Sequence, residues 1–155
     1  MRFLERFQAM IRGEVEQPPV ARLVGFRMTE AREGVVVMEL DVEERHTSPP
    51  GSAHGGILVD VADAAMGCAY GTLLDDENAT WTTVELKVNY LRPAWPGMHV
   101  RAEGRVVHAG RTLSLTECDV TNEEGKLLAR ASSTVMRLDT AGTHKSRSQA
   151  RETEV

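Results

Sequence analysis

The chain has 155 residues, enough for one domain of ordinary size with a real core. Apolar residues make up 41% and charged residues 26%, a balance that excludes a disordered chain. A net charge of −5 leaves no basic footprint for nucleic acid, although 18 Lys and Arg suffice for a local phosphate-binding patch.

At the N-terminus, MRFLERFQAMIRGE places Phe3, Phe7, Met10 and Ile11 at helical spacing, which predicts an amphipathic helix over residues 2–12 lying on the domain. Glu5, Arg6 and Arg12 interrupt any signal-peptide core. Gln17-Pro18-Pro19 is expected to stop this helix, because proline lacks the N–H and disfavours a helical residue before it. Val20 to Glu30 and Val35 to Val42 read as two strands joined by a hairpin turn at Glu33-Gly34. TSPPGSAHGG, residues 47–56, is a loop by composition.

A long helical pattern follows, expected over about residues 56–74. Ile57, Leu58, Val61, Ala62, Ala65, Cys68 and Ala69 form one stripe that should face a sheet. Asp75-Asp76-Glu77-Asn78 is a polar stop whose charges oppose the negative end of a helix. Four β-rich stretches come next: Trp81 to Leu91, His99 to His108, Thr112 to Asn122 and Lys126 to Leu138, with turn signals between them. Gly104 is the odd member of an otherwise regular alternation. Residues 139–155 are polar and aperiodic, a tail expected to be disordered, which leaves 1–138 as a single domain.

Six strands and one long helix predict an α+β architecture, an antiparallel sheet with helices on one face. One helix cannot cover both faces of such a sheet, so a homodimer or a dimer of dimers is the economical way to bury the remainder. No stretch approaches the ~18 apolar residues of a membrane span, and no membrane partner is expected. Cys68 and Cys118 give neither a disulfide framework nor a zinc spacing, and read as buried thiols in a reducing cytoplasm. His46, His99 and His108 show no ligand spacing, so neither a metal nor another cofactor is expected.

The loop-to-helix junction, Gly51 to Gly56, is the densest candidate site. Glycines at a helix start allow close approach of a ligand, and the free N–H groups of the first turn point toward negative charge. Such donors stabilise the oxyanion of thioester hydrolysis. Asp60 and Asp63 lie about 60° apart on the face opposite the apolar stripe. Gly56 and Gly67 share that face and leave room for a ligand or another chain. An i,i+3 carboxylate pair raises at least one of the two pKa values. Residue chemistry alone does not choose between Asp60 and Asp63.

HGGILVDVADAAMGCAYG resembles the central-helix signature of hotdog-fold thioesterases, the group that includes the phenylacetic-acid-pathway and 4-hydroxybenzoyl-CoA enzymes. The resemblance extends through PPVARLVGFRM, HTSPPGSAHGG, WTTVELKVNYLRPAWPG and VVHAGRTLSLTECDV, about residues 18 to 138. It implies a hotdog fold, a long helix wrapped by the sheet, and hydrolysis of an aromatic or medium-chain acyl-CoA. The HGG followed by an aspartate nine residues after His54 selects Asp63, which the resemblance implies is general base or nucleophile. It further implies that the Gly55 N–H polarises the thioester carbonyl, that His54 holds the pocket loop and the thioester, and that Thr83 stands near the attacking water. The site would lie between subunits, with Asp63 of one chain facing Gly55 of the other. Asp60 has no such role and falls to the surface. Ser48 stands where related loops carry Asn, six residues before the histidine, and a hydroxyl reaches less far than an amide. Gly56, Arg92 and Arg111 are expected around the substrate, the arginines as contacts for coenzyme A phosphates.

Two other readings have different signatures. A hotdog hydratase or dehydratase of 2-enoyl thioesters would pair a histidine with a carboxylate in other motifs. A non-catalytic acyl-CoA-binding module would bind without turnover. Met66, Tyr70, Trp81 and Tyr90 are the large side chains expected to set pocket depth.

Overall fold

A computed structural model describes residues 2–75 and 78–139. In chain order the elements are α1 (Phe3–Ile11), α2 (Pro19–Val24), β1 (Arg27–Arg32), β2 (Val35–Asp41), a short 3-10 turn (Glu44–His46), α3 (Gly55–Gly71), β3 (Ala79–Tyr90), β4 (His99–Ala109), β5 (Leu113–Thr121) and β6 (Leu127–Asp139).

The amphipathic first helix forms as its spacing predicts, burying Phe7 and Ala9. It ends before the prolines, because Gly13 takes a left-handed φ of 77° and turns the chain out. The stretch Val20 to Glu30 is a correction: it is not one strand. Pro19 sits at the first turn of α2, where its missing N–H leaves nothing unpaired and its fixed φ suits a helix. Gly25 closes that helix at φ 96°, its N–H reaching Ala21 O at 2.7 Å, and the Arg45 guanidinium donates to Leu23 O at 3.0 Å. Only Arg27–Arg32 remains as strand. The hairpin at Glu33-Gly34 is present, with Gly34 at φ 73°.

All six strands pair antiparallel in the order β1-β2-β4-β5-β6-β3. The sheet curls round α3, which touches every strand. Its inner face supplies Val36, Met38, Leu40, Val100, Val120, Ala129 and Val135, all buried. Gly104 breaks the alternation of β4 for a steric reason. A Cβ there would lie 2.4 Å from the Ala65 carbonyl carbon, so only glycine lets β4 meet the backbone of α3. The outer face carries charge instead. Arg101 bridges Glu30 and Glu103, Arg105 bridges Glu117 and Asp119, and Arg130 reaches Asp119.

The central helix stops at Gly71, before the acidic run. Thr72 Oγ1 donates to Ala69 O at 2.7 Å, and Leu73 and Leu74 close a tighter turn onto Tyr70 and Gly71. Asp76 and Glu77 of the polar stop, and residues 140–155 of the expected tail, lie outside the described residues. Among the described residues, no helix is long and apolar enough to cross a membrane.

Candidate active site

The N-terminus of α3 is anchored from below by its loop. Gly51, at φ 91°, closes a turn onto Ser48 O, and the Ser48 hydroxyl donates to Ser52 O at 3.3 Å. The Ala53 N–H reaches Ala94 O at 2.7 Å, tying this loop to the one after β3. His54 is the N-cap: its exposed ring accepts the Gly56 N–H at Nδ1, 3.0 Å. Gly56 is therefore engaged by His54. Gly55, the first helical residue, has an N–H with no acceptor inside the helix.

Gly55 lines a cleft of about 510 Å³ together with Ser48, Ser52, Tyr90, Leu91 and Arg92. Arg92 is exposed at the rim and donates to Leu127 O at 2.8 Å. Arg111 is elsewhere. It lies in the β4–β5 turn beside Thr112, whose carbonyl accepts the Arg137 N–H, and Arg137 is level with Trp81 at the opposite end of β3 from Tyr90. Within one chain the two arginines do not rim the same cleft.

Asp63 stands two turns further along α3, half-buried, and Thr83 Oγ1 donates to its Oδ1 at 2.7 Å. The pairing of β3 with β6 slips between Thr83 and Glu85, a bulge of the kind that re-aims a side chain. Thr83 faces α3 at that irregularity. Asp60 is exposed, and its carboxyl sits above the usual range, first through partial burial and then through the Asp63 charge. The Cys68 thiol, also near Asp63, is pushed up to about 12 by burial, which makes it inert as a nucleophile.

The room expected beside Gly67 is filled by the chain's own Trp81. A Cβ on Gly67 would lie 2.8 Å from the indole Nε1, and one on Gly71 would lie 2.6 Å from Cη2. Phe3 packs edge-on against the same ring, centroids 5.0 Å apart. Met66 and Tyr70 are buried, so of the four large side chains expected at the pocket only Tyr90 lines the cleft. Leu91 was not singled out by motif or spacing, and Ser52 only as one member of the Gly51–Gly56 junction, since a loop's composition does not say which way its side chains turn. Among the described residues, no group of three His, Cys, Asp or Glu is placed to hold a metal ion.

Residues 50–129 match the profile of the thioesterase superfamily. The human protein acyl-coenzyme A thioesterase 13 is 33% identical over 104 residues, covering 66% of this chain and 73% of its own. The PaaI protein of the E. coli phenylacetic acid degradation operon superposes with a TM-score of 0.76 over 88% of this chain and 96% of that one; at 20% identity the likeness is one of fold. A hypothetical thioesterase of Streptococcus pneumoniae, solved with coenzyme A, is 27% identical with a TM-score of 0.68, covering 74% of this chain and 89% of that one.

Proposed function

We propose, for a chain that belongs to the thioesterase superfamily and is a PaaI-like thioester hydrolase of hotdog fold, that its substrate is an acyl-CoA and that Asp63 is the general base. The observation that carries this reading is the Asp63–Thr83 pair on the helix that also offers the Gly55 N–H. Thr83 occupies Oδ1, which leaves Oδ2 to hold a water and take its proton. The hydroxide oxygen adds to the thioester carbonyl carbon while a helix N-terminal N–H receives the charge on the carbonyl oxygen. Collapse of the tetrahedral intermediate breaks the carbon–sulfur bond, and the thiolate leaves with little need of an acid. The products are the free acid and coenzyme A.

Gly55 and Asp63 of one chain cannot act on one carbonyl. Eight residues of helix at about 1.5 Å each separate them by about 12 Å. The reading therefore needs two copies, with Gly55 of one and Asp63 of the other sharing a site. An unpaired edge strand, β3, carries Thr83 and Tyr90 and is available for such an assembly. Arg92, at the rim of the cleft beside Gly55, suits a coenzyme A phosphate, and Arg111 could join it only from the other copy. The free thiols of Cys68 and Cys118 favour a reducing compartment, the cytoplasm.

The test is thiol release over a panel of aromatic and medium-chain acyl-CoAs. Asp63→Asn and Asp63→Ala are expected to lower kcat by about 10²–10⁴-fold, the usual worth of a positioned base. Turnover at the wild-type rate in both variants would overturn the assignment.

A further inference from the structure

Tyr90 is the last residue of β3, half-exposed, and its ring is the nearest side chain to Gly55. A Cβ on Gly55 would lie 2.7 Å from Oη, 2.8 Å from Cζ and 3.1 Å from Cε1. The hydroxyl end of the phenol thus rests against the first residue of α3, and both line the same cleft. Among the described residues the Tyr90 hydroxyl has no hydrogen-bond partner. The neighbouring groups are committed: the Ser48 hydroxyl to Ser52 O, His54 Nδ1 to the Gly56 N–H, an Arg92 N–H to Leu127 O.

We infer that Tyr90 is a further catalytic residue, its hydroxyl donating to the thioester carbonyl oxygen beside the Gly55 N–H; this rests on the thioesterase reading above. A lone backbone N–H at a helix terminus supplies one donor, whereas the oxygen of a tetrahedral intermediate accepts more than one. Partial burial raises the phenol above its ordinary pKa, so it keeps its proton at neutral pH and remains a donor. The bond strengthens as charge develops on the oxygen, and its value therefore falls on kcat rather than on substrate binding. Tyr90 and Gly55 belong to one chain, so the pairing holds whichever copy supplies Asp63.

The experiment compares wild type, Tyr90→Phe and Asp63→Asn on the full chain, using the best acyl-CoA of the panel. Tyr90→Phe keeps the ring against Gly55 and removes only the hydroxyl. We expect kcat to fall roughly 10²-fold, as for loss of one oxyanion donor, with KM changed by no more than a few-fold and an unchanged melting temperature. A Tyr90→Phe kcat equal to wild type overturns the inference while leaving the thioesterase reading intact, and so does a rise in KM alone. A wild-type protein that hydrolyses none of the panel overturns both together.

Discussion

Two aromatic rings of β3 lie over glycines of α3, and they do different work. Trp81 covers Gly67 and Gly71 at the C-terminal end of the helix, in contact with Phe3 and shut in by α1. Tyr90 covers Gly55 at the N-terminal end, with its hydroxyl turned into a cleft and half of its surface exposed. The contacts are alike at the level of atoms, each within 3 Å of an absent Cβ. What separates them is what lies on the far side of the ring: packed protein for Trp81, space for a ligand for Tyr90. A glycine beneath a ring is therefore not evidence of a site until the other face of the ring is accounted for.

The largest effect should come from the more enclosed ring, Trp81. Trp81→Ala removes the lid over two glycines and the partner of Phe3, and is expected to cost about 3 kcal/mol by urea denaturation, at the lower end for a large aromatic because the ring is only partly enclosed. Activity per folded molecule should hold up far better than stability. Gly71→Ala comes next, at about 1–3 kcal/mol from overpacking against the indole, less whatever the better helix former returns. Gly55→Ala inverts the pattern. Its Cβ meets the tip of a half-exposed side chain at a strand end, which can swing away, so thermal unfolding should shift by less than about 1 kcal/mol. Hydrolysis should nevertheless fall about tenfold or more, since the ring and the carbonyl compete for the same space. Equal stability losses for Gly55→Ala and Gly71→Ala would break the comparison.

The smallest effect lies on the outer face, away from both rings. His99 bonds Asp41 at 2.7 Å and lies 3.2 Å from Glu39, and its pKa is raised first by the Asp41 hydrogen bond. A raised folded pKa means that the stabilisation is complete below the unfolded value, about 6.5, and is lost as pH rises through the higher folded value. His99→Asn should therefore lower the melting temperature slightly at pH 5.5 and not at pH 9. The site is too exposed for a large change.

Much of this was legible in the residues. Period-two alternation located β2, β3 and β4, and the apolar stripe located α3, because burial on one face leaves a repeat; β5 and β6 were marked by β-rich composition between turn signals. Val20 to Glu30 misled because β-branched residues favour strands, while Pro19 and Gly25, one at each end, decide in favour of a short helix. Gly104 was visible as an irregularity but its reason was not, since the close approach of Ala65 joins positions far apart in the chain. At the site, the tie between Asp60 and Asp63 is unresolved by helix geometry, and only the resemblance separates them. The hydrogen bond from Thr83 to Asp63 depends on a bulge, and a bulge of one residue leaves no mark on composition. The space assigned to Gly67 was filled by a ring fourteen residues away.

The distance from Gly55 to Asp63 along α3 has a consequence for how such an enzyme behaves in solution. On the proposed divided site, turnover belongs to a pair of chains and obeys mass action: specific activity falls on dilution below the dissociation constant of the assembly, even where each chain stays folded. Mixing a chain altered at Asp63 with one altered at Gly55 would restore one intact site in each mixed pair, so two impaired preparations would regain activity together.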